Sequence, residues 1–416
     1  MTGPSAPQRR FTNPVSITSQ FPFCGLPLRL DTYAGCAFRC SYCFARYRTE
    51  ATFGSDSIRP ADPATIKRIF RFSIELERFP EGVVAQCLRR RMPIHLGGMS
   101  DGFQPAERKF RVTESTLSVL ARYGYPTVIS TRGSMIAEPN YLALLKLIGP
   151  VVVQFSFSTT RDSTALKVEP FATSPSVLLR TMETLSSQGI TVTCRWQPYI
   201  PGVSEEPAEF VPRVLSAGAR HLALEHLKLA VEQNHPLAKQ LSRAAGTDLF
   251  IEYGKRGMRK DGREYVLAAN TKLSVIQETA TLVRAQGVTF GAADNEFQYL
   301  SDCGCCCSGV DQFPGFENWF KHQVGYAMRL CKGKPITYGS IAREWIPDGS
   351  VDWYVNARSR LSRKLGRKAT MRDHIKAKWN SLVAPGSPQS FYGVEFSHRP
   401  RNQQSVYCWA ATSNGK

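Results

Sequence analysis

Acidic residues are scarce in this 416-residue chain: 34 Asp and Glu stand against 53 Lys and Arg, a formal charge of +19 at neutral pH. Long apolar runs are lacking as well. No stretch reaches the roughly 18 residues that a membrane-spanning helix needs. The N-terminal segment has no apolar stretch ahead of a small-residue cleavage site, as a secretory signal would. A membrane protein and a secreted protein are therefore not expected. No internal repeat and no long low-complexity tract interrupts the chain. With 42% hydrophobic residues and a mean hydropathy of −0.25, the composition is that of a folded soluble enzyme of one large or two ordinary domains.

What is present is unevenly placed. Residues 321–416 carry 17 Lys and Arg against 5 Asp and Glu, so less than a quarter of the chain holds +12 of the charge. Such asymmetry points to a polyanionic partner, with a solvated basic face as the plainer alternative. The 12 cysteines are also grouped. Cys36, Cys40 and Cys43 form one set, and Cys303, Cys305, Cys306 and Cys307 a second. Without a secretion signal a disulfide framework is the weaker reading, and clustered thiols usually hold metal or do redox chemistry.

Short β-rich apolar runs alternate with helix-period segments through the first 300 residues. Strands are predicted over 28–33, 93–97, 127–131, 151–157, 191–196, 221–228 and 288–291. Helices are predicted over 113–123, 139–147 and 176–188, the last two on their proline and glycine end signals. This alternation implies βα units on a parallel sheet, and six or seven units suit a full or partial βα (TIM-like) barrel. Reactive groups then belong on the loops after the strands. The expected organisation is an N-terminal extension (1–24), the barrel (25–300), a cysteine-rich segment (301–331) and a small basic α+β domain (332–416). Short helices are expected over 336–345 and 355–366, and a helix-turn-helix or winged module is one form this domain could take.

The first cysteine group reads C-x3-C-x2-C directly after the first predicted strand. Three such thiolates ligate three irons of a [4Fe–4S] cube and leave one iron open. A structural zinc site is the competing reading; it needs a fourth ligand, for which His95 and Cys24 are candidates. With Tyr42 before the last cysteine, the motif resembles the signature of the radical S-adenosylmethionine (SAM) superfamily. The order of later segments is similar to the spore photoproduct lyase, or DNA repair photolyase-like, branch of that family. These segments are His95–Glu107 with its Gly-Gly pair, Thr127–Thr131, residues 156–160, residues 168–170, and residues 197–202. The resemblance implies a radical SAM barrel, a [4Fe–4S] cluster on Cys36, Cys40 and Cys43, and SAM as cofactor. It also implies SAM contacts among Tyr42, Gly97, Gly98, Ser100, Asp101, Ser130, Ser156, Ser158, Glu169 and Arg180. Arg180 is expected to pair with Glu169 or with the SAM carboxylate. The sequence departs from the usual pattern at Ser100, Gly102 and Phe103, and has no acidic residue directly after Gly97-Gly98.

For the second group, a second iron–sulfur cluster on two or three of Cys303, Cys305, Cys306 and Cys307 leads. A distant thiol such as Cys331 or Cys24 would complete it. A zinc site, a redox thiol pair and a hydrogen-atom-donating cysteine stand beside it. Asp294 and Glu296 are candidates for a substrate-facing role, with an N-cap by Asp294 as the bland reading. Of Glu225 and His226, strand alternation sends one inward. The resulting expectation is hydrogen abstraction from a thymine-type DNA base, for modification or repair. It brings an electron donor such as flavodoxin or ferredoxin and a cytoplasmic location in a bacterial or phage-infected cell. RNA or a peptide is the alternative substrate, and a non-enzymatic nucleic-acid-binding protein the alternative class. If the basic segment meets phosphates, duplex binding measured by fluorescence anisotropy falls steeply with salt and is largely lost on deleting residues 321–416. Salt-independent binding would remove the polyanion reading.

Overall fold

The computed structural model describes residues 10–18, 21, 24–46, 57–79, 82–231, 236–261, 264–305, 307–316, 331, 334–342, 349, 369–383, 387–390 and 394–409. Its main sheet holds β1 (Val15–Ile17), β2 (Leu28–Leu30), β3 (Ile94–Leu96), β4 (Thr127–Thr131), β5 (Val151–Phe157), β6 (Thr191–Tyr199), β7 (His221–His226) and β8 (Thr289–Ala292). The eight strands lie side by side in chain order. From β2 to β8 all are parallel, and β1 runs antiparallel along the edge. A sheet that winds in one direction belongs to the barrel class, whereas a doubly wound sheet reverses its strand order at a switch point. Because β1 and β8 do not pair with each other, the barrel is partial. The N-terminal extension thus supplies an edge strand, which its sequence did not announce.

The helices that cover the sheet are α1 (Val112–Arg122), α2 (Pro139–Ile148), α3 (Pro175–Ser187), α4 (Pro207–Ser216) and α5 (Ala269–Ala285). Proline opens three of them, where its missing N–H costs nothing. In α3 the buried Leu178, Thr181, Met182 and Leu185 fall on one stripe, the 3.6-residue period of a core-facing helix. The strand registers divide the side chains of the sheet into two faces. Leu30, Leu96, Ile129, Val153, Phe155 and Trp196 share the outer face and join the main core. Arg29, His95, Val128, Ser130, Gln154, Ser156 and Arg195 share the inner face. The interior is therefore polar over most of its height, with Val128 and Val152 at its floor in a separate apolar cluster.

At the C-terminus, α6 (Met371–Trp379) starts with a capping box between Thr370 and Asp373. It packs beside a hairpin of β9 (Val394–His398) and β10 (Val406–Trp409). The buried Trp379 indole donates to the Ser405 carbonyl at 2.7 Å. Trp409 meets Tyr299 of the barrel edge-on at 6.0 Å. Of the two short helices expected here, the first is seen as Gly339–Ala342, and the second lies outside the described residues. Among the described residues, no helix is long and apolar enough to cross a membrane.

Trp196 and Phe210 stack with centroids 3.8 Å apart and fasten α4 to β6. Trp196→Ala is expected to lower unfolding free energy by about 3–5 kcal/mol, read from urea denaturation of the full chain.

Candidate active site

The cysteine loop begins shortly beyond the end of β2, at the C-terminal mouth of the partial barrel. Gly35 at φ +87° and Arg39 at φ +46° turn the chain so that it folds back on itself. Turn hydrogen bonds from Cys43 N–H to the Cys40 carbonyl and from Arg46 N–H to the Cys43 carbonyl shape its second half. Two anchors hold it to the barrel. Gln104 bridges the loop on both sides of Cys36: its Oε1 accepts from the Ala37 N–H at 2.8 Å, and its Nε2 donates to the Gly35 carbonyl at 3.1 Å. Ser41 donates from its N–H and its hydroxyl to the Val168 carbonyl, at 3.0 and 2.7 Å.

Next to the loop lies a buried charge pair. Arg132, the first residue after β4, donates to Glu169 with both side chains almost wholly buried. Glu169 also accepts from the Tyr42 hydroxyl and, at 3.0 Å, from Ser158. The Arg132 guanidinium stands 5.5 Å from the Tyr42 ring centre, within cation–π range. Burial pushes the Cys36 thiol up to about 12, and the neighbouring Asp101 adds to the rise. Burial raises Cys40 too, while the Arg132 guanidinium works against that rise. Arg132 thus offsets thiolate charge at Cys40, and Arg46 and Arg132 do so at Cys43.

The other expected cofactor residues are placed as follows. Ser100 donates to the Tyr33 carbonyl. Asp101 accepts from Phe103 N–H, Thr131 hydroxyl and Arg132 N–H at 2.8, 2.8 and 2.6 Å, so its carboxylate organises the loop before it could meet a ligand. Ser130 bonds His95 at 2.7 Å and Gln154 at 3.1 Å, and Ser156 lies on the same inner face. Gly97 has φ +87°, and a Cβ there would fall 2.4 Å from the Ser130 carbonyl oxygen. A Cβ on Gly98 would come within 3.1 Å of Arg29. Glycine is thereby required at position 97 by the close approach of the Ser130 backbone, whereas at position 98 the Arg29 side chain would have to give by a few tenths of an ångström. Arg180 differs from expectation. It is exposed on α3, opposite the buried stripe, and Glu169 takes Arg132 instead. Gln104 and Arg132 do not stand out in the sequence. Arg132 has a usable signal, since it directly follows a strand that ends at the barrel mouth.

The zinc alternative for this loop loses both of its candidate fourth ligands. Cys24 precedes β2 and lies in the floor cluster with Val128 and Val152, at the opposite end of the strands. His95 is bound to Ser130. Among the described residues no three His, Cys, Asp or Glu side chains are drawn around one point as a single ion would need. The thiolates of a cube bind separate irons, so three thiols spaced along a turn suit it better.

A family model described as the radical SAM superfamily matches residues 30–211. This region is a radical SAM domain. An uncharacterized protein of Methanocaldococcus jannaschii is 19% identical over 176 residues, 41% of this chain. The match spans 60% of that relative's length. Among solved structures, a spore photoproduct lyase variant with bound AdoMet and dinucleoside spore photoproduct is 15% identical, with a TM-score of 0.47 over 62% of this chain and 74% of its own. TsrM from Kitasatospora setae, a radical SAM methyltransferase with cobalamin and a [4Fe–4S] cluster bound, is 14% identical, with a TM-score of 0.35 over 51% and 39%. In the radical SAM domain described here, the donor set on the Cys36–Cys43 loop fits a cluster of that kind.

Beyond the radical SAM motif, two further groups differ from expectation. Asp294 neither caps its helical turn nor is left for substrate. It accepts from the backbone N–H and Nδ1 of His226, at 3.1 and 2.8 Å, and from Lys272 at 3.0 Å. Lys272 also donates to Glu296 at 2.7 Å. Burial opposes charge on Asp294, yet His226 and Lys272 hold its carboxyl below the usual range. This network ties α5 to β7 and β8. Glu225 points into the barrel, where it accepts from Gln197 and pairs with Lys228 at 2.5 Å. The Gln197 Oε1 is buried and, among the described residues, has no hydrogen-bond partner.

Of the second cysteine group, Cys305 and Cys307 lie at the floor of the barrel, at the opposite end of the strands from the first. Cys305 and Cys307 join Cys24 in the floor cluster. Cys306 lies outside the described residues. Cys331 is elsewhere, 3.4 Å from the Ser340 hydroxyl. The hydrogen-donor reading for these thiols is opposed by this placement. Several strand residues at about 3.3 Å each separate floor from mouth.

The loop anchors and the polar inner face can each be tested. Gln104→Ala strips both bonds from the cysteine loop, a loss of about 1–3 kcal/mol for the unpaired backbone groups. Iron retained per chain after anaerobic reconstitution should fall well below the wild-type value, with the fold preserved by circular dichroism. The inner face is tested at His95, where burial, helped by Arg195 and Arg29 and opposed by Cys307, pushes the pKa from 6.5 down to about 4. The unfolded chain then binds the extra proton between those values. Stability is full above pH 6.5 and falls by about 3 kcal/mol as pH drops towards 4. Urea midpoints measured across that window should show this slope, and His95→Gln should flatten it.

Proposed function

We propose that this chain is a radical SAM enzyme that acts on a thymine-type base in DNA, for base modification or lesion repair. The observation that carries the reading is the Cys36–Cys40–Cys43 loop docked at the barrel mouth beside the buried Arg132–Glu169 pair. A [4Fe–4S] cluster with SAM supplies one-electron cleavage of SAM, giving a 5′-deoxyadenosyl radical able to abstract hydrogen from carbon. Cys36, Cys40 and Cys43 would hold the cluster, with its electron coming from a donor of the flavodoxin or ferredoxin kind. Arg132 balances the thiolate charge at Cys40, and Tyr42 with Glu169 keeps the loop seated. Gly97, Gly98, Ser156 and Ser158 stand on the side from which SAM would be met.

Within the barrel, the chain's own groups suit a flat heterocycle with imide edges. Gln197 offers an unpartnered acceptor at Oε1, a match for an imide N–H. Glu225 and Lys228 hold the Gln197 amide in place through its Nε2. The polar lining would orient the base, and the surrounding helices keep bulk water from the reacting carbon. The DNA assignment rests on the similarity of residues 95–202 to the photoproduct lyase branch and on the +12 carried by residues 321–416. An unstacked base is the form such a barrel could receive.

Incubation of the reconstituted chain with SAM and a reductant should release 5′-deoxyadenosine, and Cys40→Ala should abolish the release. No release from the wild-type chain would overturn the enzyme reading. Mass spectrometry of nucleosides from DNA made with and without the protein should show one altered thymidine derivative. An unchanged nucleoside profile with intact 5′-deoxyadenosine release would move the substrate to RNA or peptide.

A further inference from the structure

Two arginines on the inner face of the sheet have no acid to answer them. Arg29 stands on β2 and Arg195 on β6, both facing the lumen. Among the described residues neither forms an ion pair, and the Nε of each is buried without a hydrogen-bond partner. The Arg29 Nη2 meets the Ser16 hydroxyl at 3.4 Å. Thr193, the inward residue before Arg195 on β6, is fully buried, and its hydroxyl has no partner among the described residues. The carboxylates nearby are already used. Glu225 pairs with Lys228 at 2.5 Å and accepts from Gln197. Asp31 accepts from the N–H groups of Met99 and Ser100.

Barrel geometry brings the two arginines to one level. From β2 to β6 the register runs Arg29, His95, Val128, Val152, Thr191. In a βα barrel the strands tilt, and the register shears by about one residue per strand. Four strands on from β2, the residue level with Arg29 is therefore Arg195, four beyond Thr191. Side-chain contacts climb the same diagonal. A Cβ on Gly98 would meet Arg29 at 3.1 Å and His95 at 3.5 Å together. His95 bonds Ser130 at 2.7 Å, two residues above its register partner Val128. Both guanidiniums act electrostatically on His95, in keeping with that layer. Val128 and Val152 lie beneath it in the apolar floor.

Two guanidinium edges and a hydroxyl, all without acceptors, are the donor set for an oxyanion. Position decides where that anion comes from. Gln197, the next inward residue on β6 towards the mouth, carries the free acceptor assigned above to a base imide. A base entering from the mouth leaves its sugar and phosphates outside. An anion held below Gln197 therefore belongs to a substituent of the base itself, and on carbon that anion is a carboxylate. We propose that Arg29, Thr193 and Arg195 form an anion subsite in the barrel lumen that holds a carboxylate borne by the substrate base. This rests on the reading of the lumen as a base-binding chamber. It narrows the substrate from thymine-type bases in general to those carrying an acidic side group. An unmodified thymine, with only a methyl group there, leaves both arginines unanswered.

The test is binding to the full reconstituted chain with SAM and no reductant, so that no turnover occurs. Isothermal titration should show 5-carboxymethyl-2′-deoxyuridine bound about tenfold to a hundredfold more tightly than thymidine. Arg29→Gln and Arg195→Gln should each erase that preference, and Arg195→Lys should keep part of it. Equal affinity for the two nucleosides in the wild-type chain would overturn the proposal. So would thymidine 5′-monophosphate bound as tightly as the carboxylate nucleoside through the same arginines, because the anion would then be a phosphate. Malonate alone, at constant ionic strength, should raise the thermal midpoint of the wild-type chain and not of either glutamine variant. A malonate effect that SAM abolishes would assign the anion to SAM and overturn the proposal. An arginine-dependent malonate effect with no nucleoside bound would support the subsite and overturn the base reading. Thymidine binding with no response to either carboxylate would do the reverse. The nucleoside comparison uses the wild-type chain, so it stands even if a glutamine variant fails to fold.

Discussion

The buried contact between Arg132 and Glu169 is the point on which the candidate active site turns. A fully desolvated ion pair is costly unless its remaining donors and acceptors are used. Here Glu169 also takes Tyr42 and Ser158, and Arg132 lies against the Tyr42 ring. The pair joins three separate parts of the chain: the end of β4, the segment after β5, and the cysteine loop. Removing either partner would leave an unanswered charge under the loop. The position of three thiols is thus linked to a charge that suits them when ionised.

Around that contact the partial barrel separates two chemistries along its axis. The mouth holds one thiol group with a buried cation beside it, and the floor holds another with two. Between them the inner face carries a continuous polar chain, from His95 through Ser130 and Gln154 to the Cys307 carbonyl. Parallel strands make such a division natural, because all their C-terminal ends fall on one side. The outer face of the same strands is apolar and sealed by helices, so stability and chemistry use opposite faces of one sheet.

Some of this is legible in the sequence through local spacing alone. The C-x3-C-x2-C run with Tyr42 marks the loop, and the alternation of strand and helix signals marks the barrel class. The strands predicted over 127–131 and 151–157 have the bounds of β4 and β5, since both are short runs rich in β-branched and aromatic residues. Arg180, which the resemblance set beside Glu169 or the SAM carboxylate, falls on the exposed face of α3, because nearness in sequence says nothing about helix phase. Asp101 reads as a cofactor contact, and Gln104 does not stand out. Their hydrogen bonds to backbone groups tens of residues away are visible only once the loops are packed.

The amino-acid sequence by itself determined the fold class, the grouping of Cys36, Cys40 and Cys43 on one loop, and the uneven positive charge. Each depends on residues close together in the chain, where spacing and composition are sufficient. Tertiary structure decided that Arg132, and not Arg180, answers Glu169. It also decided that Cys24, and not Cys331, stands with Cys305 and Cys307. Those pairings span from 37 to more than 280 residues of sequence separation. Only the curvature of the sheet, which brings strand ends from distant segments together, can choose between them.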